Sequence, residues 1–274
     1  MNEPAIDLTT VSVVVFDTDG VVTDTARGHA AAWKHVFDAF LRGRSAPFDI
    51  RDDYLRHVDG RPRLDGIRTF LASRGLELPE GSPDDEPGAP TIHGLGRAKD
   101  RLFVDQVDKY GVAAFPSTVA LLHELRHRGA RTAAVSASMH GRKLITSAAV
   151  THLFDVLVDG NDAALMNLPG LPDPALFLEA ARRLAVPPPR TAVLEAALPG
   201  VEAARKAGFG LVVAVGRPDA FVRPRRRADA QATPEGPEEQ VEERGEELRE
   251  HGADVVVADL GELTVRGRVL PWGT

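Results

Sequence analysis

The chain has 274 residues, 43% of them hydrophobic and 27% charged, with a formal net charge of -7, enough for a full buried core plus a second, smaller unit. It has no cysteine, which excludes disulfides, cysteine-ligated zinc or iron–sulfur sites and thiol catalysis. The acidic balance argues against a nucleic-acid partner, and neither a membrane-length apolar run of roughly 18 residues nor a signal peptide in residues 1–10 is present, so no membrane partner and a cytoplasmic location are expected.

The first predicted element is the most informative. Val13 to Phe16 is a short, β-branched apolar run that reads as a central parallel strand covered on both faces. It ends in Asp17-Thr18-Asp19-Gly20. Ligands bind at that end of open α/β sheets, and Gly20 permits a tight turn there. A helix cap requires one Asp, whereas two carboxylates one residue apart can divide labour, Asp17 as nucleophile and Asp19 as proton carrier. Such a pair is normally held by a divalent cation, Mg²⁺ with phosphate oxygens.

Thr25, His29 and Trp33 then recur every four residues, along one helical face. Helical spacing continues from Leu55 to Leu78, while residues 81–90, GSPDDEPGAP, can form neither a helix nor a strand interior. Residues 25–109 are therefore expected to form a helical cap, with residues 1–24 and 110–274 forming the α/β core. A helix from Phe115-Pro116-Ser117 through Leu125 ends at Arg128-Gly129. Thr132 to Val135 is the next strand, and Ser136, at its end, is a candidate phosphate ligand through its hydroxyl and the adjoining amides. A helix over Ala175 to Ala185 stops at three prolines, and strands at Ala192 to Leu194, Leu211 to Val215 and Val255 to Ala258 complete an alternating pattern that implies a doubly wound parallel sheet. Residues 217–252 read as a charged insert, basic at Arg223 to Arg227 and acidic from Glu238 to Glu250, the second half with a Glu/Arg spacing compatible with a solvated helix and the whole expected to be an exposed excursion.

The stretches FDTDGVVTDT, VDGRPRLDGIRTFL, GLGRAKD, AVSAS and GADVVVADLGEL resemble the haloacid dehalogenase superfamily, in particular its β-phosphoglucomutase-like branch. The resemblance covers most of the chain apart from its ends and the insert. It implies a Rossmann-like core, an aspartyl-phosphate on Asp17, acid/base work by Asp19, phosphate contacts from Ser136 and Ser138, and Mg²⁺ held by Asp17, Asp19 and Glu195. It also implies that Thr25, His29, Arg63 and Lys99 serve cap closure and a distal phosphate, with a small phosphorylated sugar as partner. The sequence departs from the pattern at Leu171, where a lysine is usual, at Ala196, where a metal-binding Asp is usual, and at Met139 and His140, where a basic residue and Asn are usual. Leucine and alanine supply neither charge nor metal ligand, so two functions are expected to compete: a weakened sugar-phosphate phosphotransferase or phosphatase, and a non-catalytic sugar-phosphate sensor or partner subunit.

Overall fold

A computed structural model describes residues 3–216 and 237–268. Its centre is a six-stranded, all-parallel sheet of β2 (Val13–Asp17), β3 (Arg131–Val135), β4 (Val156–Val158), β5 (Thr191–Glu195), β6 (Leu211–Val215) and β7 (Val255–Val257), in spatial order β4-β3-β2-β5-β6-β7. In β2, alternate side chains enter opposite layers. Val14 and Phe16 join Leu121, Leu122 and Leu125 of α5 (Pro116–His127). Val13 and Val15 face Leu176 and Phe177 of α8 (Ala175–Arg183) and Val201 of α9 (Leu198–Lys206). All four β2 residues are fully buried, and each such apolar side chain contributes roughly 1.5–3 kcal/mol. A strand covered on both faces has no polar position, which is why the run is continuous.

The register brings three strand ends level: Asp17 lies opposite Val135, and Phe16 opposite Leu194. Ser136 and Glu195 therefore flank Asp17. A separate parallel pair, β1 (Ala5–Asp7) with β8 (Thr264–Arg266), carries fully buried Ile6 into the first layer.

Helices α1 (Ala26–Leu41), α2 (Asp52–His57), α3 (Arg63–Ser73) and α4 (Ile92–Tyr110) pack around a cluster of their own. Its centre is aromatic: Phe37 lies 5.0 Å from Trp33, 4.9 Å from Phe48 and 4.3 Å from Phe70, ring centre to ring centre. Residues 81–90 form neither helix nor strand.

Of the insert, residues 217–236, including Arg223, Arg225, Arg226 and Arg227, lie outside the described residues. The acidic half forms the helix that its Glu/Arg spacing allows, α10 (Pro237–Glu250), with Glu242, Glu243, Glu246, Arg249 and Glu250 exposed. It is not wholly solvated, because Leu248 is fully buried in the second core layer. No described helix is long and apolar enough to cross a membrane.

Candidate active site

The turn after β2 is closed by its own backbone. Val22 and Thr23 amides donate to the Thr18 carbonyl at 3.0 and 2.8 Å, and the Gly20 amide donates to the Thr23 carbonyl at 2.9 Å. Gly20 adopts φ +82, and a Cβ there would stand 3.4 Å from that of Ala196. The turn thus lies directly against the residue following Glu195.

Asp19 is gripped from the helical unit. Thr25 sits at the start of α1 but does not cap it; its hydroxyl donates to the Asp19 carboxylate. His29 Nε2 lies 3.4 Å from the same oxygen, and Lys99 Nζ lies 2.6 Å from His29 Nδ1. Phe103 stacks on His29 at 3.8 Å, and Lys99 lies 4.5 Å from that ring and 5.5 Å from the ring of Trp33. Burial pushes Lys99 down to about 7, against the pull of Asp19. Burial would raise Asp19, but the His29 charge, hydrogen bonds from His29 and Thr25, and the Lys99 charge hold it below the usual carboxylate range.

Asp17 goes the other way. Loss of hydration raises its carboxyl well above the usual range, and the negative charges of Glu195 and Asp19 push it further. Glu195 is pushed up to about 8 by burial, against two hydrogen bonds its Oε2 accepts from the Ala196 and Ala197 amides at 2.7 and 2.8 Å. Divergent carboxylate environments at adjoining strand ends are a mark of functional sites.

On the β3 side, Ser136 is 1% exposed and its Oγ accepts from the Ser138 amide at 3.2 Å, while Ser138 Oγ accepts from the His140 amide at 3.1 Å. Gly141 opens α6 (Gly141–Ser147), and a Cβ there would meet the Ser136 Cβ at 2.7 Å. Arg63 does not join the Asp19 cluster. It pairs with Asp100 on α4, which also meets His140 Nε2 at 2.8 Å. Leu171 is 5% exposed in the second core layer, a packing residue.

Three participants were not picked out as site residues in the sequence. Asp59, near the start of the α2–α3 loop, is pushed up to about 6 by loss of hydration, opposed by the Arg244 charge and a hydrogen bond with Tyr54 and reinforced by Asp19. Asp100 adjoins Lys99 in GRAKD, a carboxylate beside a site lysine that could have been noticed. Arg244 sits in a glutamate-rich helix and carried no signal.

A family model for haloacid dehalogenase-like hydrolases matches residues 11–208. The chain belongs to the haloacid dehalogenase-like hydrolase family. It is 39% identical over 260 residues to the β-phosphoglucomutase of Mycobacterium tuberculosis, covering 92% of this chain and 91% of that one. It is 30% identical over 210 residues to the β-phosphoglucomutase of Bacillus subtilis, covering 76% and 85%. Among solved structures, β-phosphoglucomutase from Clostridium difficile superposes with a TM-score of 0.65 at 20% identity, covering 92% of each chain. CbbY from Rhodobacter sphaeroides in complex with phosphate superposes at 0.61 with 24% identity, covering 92% of this chain and 96% of that one. The haloacid dehalogenase-like fold, a parallel sheet with surrounding helices, is thus shared with both.

Among the described residues, no group of three His, Asp or Glu side chains stands ready-made around a metal position. The donors nevertheless fit a hard divalent cation in kind: Asp17 and Glu195 carry carboxylate oxygens whose ionised forms are disfavoured by lost hydration and surrounding negative charge. The side chain of Ala196, next in sequence, offers no oxygen.

Proposed function

We propose that this haloacid dehalogenase-like protein transfers the phosphoryl group of a sugar phosphate through Asp17, as a β-phosphoglucomutase-like mutase or phosphatase of reduced power. The observation that carries the reading is the arrangement of one turn, where Asp17 closes the buried strand β2 and Asp19, two residues on, is engaged by Thr25 at the start of α1 and by His29 within it. Helices α1–α4 serve as the cap that closes over the substrate.

An Asp17 carboxylate oxygen attacks phosphorus as the bond to the sugar oxygen breaks, giving an aspartyl-phosphate. Asp19 enters the first step protonated and gives that proton to the leaving sugar oxygen as the phosphoryl group moves to Asp17. The carboxylate so formed, stabilised by Thr25, His29 and Lys99, then takes the proton from the hydroxyl or water that attacks the aspartyl-phosphate. Ser136, Ser138 and the adjacent amides orient phosphoryl oxygens without adding charge. Mg²⁺, held by Asp17, Asp19 and Glu195, would offset phosphate charge and favour the ionised nucleophile. Arg63, which shares Asp100 with His140, is read as the contact for the distal phosphate.

Incubation with a panel of sugar monophosphates and Mg²⁺, followed for phosphate release and isomer exchange, tests the reading. Turnover should appear and fall by about a thousandfold or more in Asp17→Asn. Undiminished turnover in that variant would sink the mechanism. The second reading, a non-catalytic sensor, is favoured by Leu171 being spent on core packing. Tight sugar-phosphate binding without turnover would select it.

A further inference from the structure

Helix α10 comes from the segment in which the sequence shows no chemistry, yet it reaches the active-site turn. Leu248 fixes it to the core, and Arg244, one helical turn earlier, lies on the same face. The Arg244 side chain is 18% exposed. Its Nη2 approaches the Ala196 carbonyl at 3.4 Å, while Glu247 holds Nη1 at 2.8 Å. The neighbouring Glu243 lies 3.9 Å from Arg51 of the cap. One helix therefore touches the core turn and the cap at once.

The cap loop lands at the same point. Gly60 adopts φ +71, and a Cβ there would fall 2.7 Å from the Ala197 Cβ and 3.5 Å from Pro199 Cδ, so the loop backbone rests on the turn after β5. That landing brings Asp59 near the acidic cluster, where the Asp19 charge opposes its ionisation. A positive charge on the other side offsets that opposition. Tyr54 contributes a hydrogen bond to Asp59, and Arg244 supplies the positive charge.

We propose that Arg244 is a positioning residue for cap closure: from α10 it holds the Ala196 carbonyl and neutralises Asp59, so that the cap loop can dock on the Glu195–Ala197 turn. The inference rests on reading α1–α4 as a cap and is independent of which phosphate ester is used. Arg244 acts through the loop and touches no reacting atom.

The test is hydrogen–deuterium exchange of the full chain without metal or substrate, read over residues 54–62, in wild type, R244L, D59N and the double variant. R244L should accelerate exchange there by about fivefold or more, whereas D59N, which removes the charge that Arg244 answers, should stay near wild type. The double variant should match D59N. A change of less than about twofold in R244L, or a double variant exchanging as fast as R244L, overturns the proposal. Should R244L fail to fold, recovery of folding in the double variant supports it, and failure of both overturns it. Because no turnover is measured, a negative result leaves phosphoryl transfer through Asp17 standing.

Discussion

Thr25 illustrates how the site redirects local chemistry. A threonine at the start of α1 would ordinarily bond the helix amides, but its hydroxyl goes to Asp19 instead. Ala196 is the converse, a position beside the carboxylates whose side chain supplies nothing. Ala196→Asp should tighten Mg²⁺ binding by about tenfold, the equivalent of one modest charge contact, as measured by titration calorimetry. Equal affinity in both proteins would show that other oxygens already complete the shell. The raised acids also make stability depend on pH. Glu195 and Asp59 keep their protons up to about 8 and 6 in the folded chain, against 4.5 and 3.8 ordinarily. The unfolded chain releases those protons first, so this contribution is full below the ordinary values and is lost as pH rises through 6 and then 8. Melting temperature in metal-free buffer should fall over that interval. Glu195→Gln should flatten the upper part of the fall, and Mg²⁺, which favours the ionised forms, should flatten it as well.

At the scale of elements, buried strands were legible because nothing but apolar residues can occupy them. Leu211–Val215 is read with its observed limits, and Val13 to Phe16, Thr132 to Val135 and Ala192 to Leu194 each fall within one or two residues of theirs. The three-residue strands β1, β4 and β8 were missed, whereas the equally short β7 is legible because its residues are three consecutive valines. The Asp17–Asp19 turn was legible through its spacing. Asp59 and Arg244 were not, because what matters about them is long-range proximity. Gly60 shows the limit from another side: its sequence signals a turn, but only the structure shows the turn pressed on Ala197. Gly60→Ala combines a left-handed φ with a 2.7 Å clash and should cost about 1–3 kcal/mol or lift the loop. Denaturant unfolding and exchange over residues 58–62 would read the two outcomes. Leu171→Lys places an ammonium in an apolar layer and should destabilise by about 3 kcal/mol or more. A gain in turnover with unchanged stability would mean that the new side chain escapes toward Asp17.

Across the whole molecule, the α1–α4 unit and the sheet with its helices meet at several contacts besides those of Thr25 and His29 with Asp19. Gly60 rests on Ala197, Asp100 reaches His140, and Pro62 lies so near Gly170 that a Cβ there would be 2.1 Å from its Cγ. Asp100 also occupies Arg63, whose Nε is buried without a hydrogen bond. Asp100→Asn should therefore tighten binding of inorganic phosphate severalfold, measured by calorimetry. Weaker binding would assign Asp100 to ordering Arg63 rather than competing for it. The strand order has a further consequence, for the timing of assembly. During synthesis, α1–α4 can gather as soon as residue 110 has emerged, since their contacts are contiguous in sequence. The apolar strand β2 is made earlier still but finds its partners only at residues 131–135 and 191–195, and β1 must wait for residues 264–266. A nascent chain thus carries the gathered α1–α4 unit beside an unpaired, apolar β2 until residue 135 is made, and β2 keeps one open edge until residue 195. That stretch of synthesis is when shielding by a chaperone should matter most.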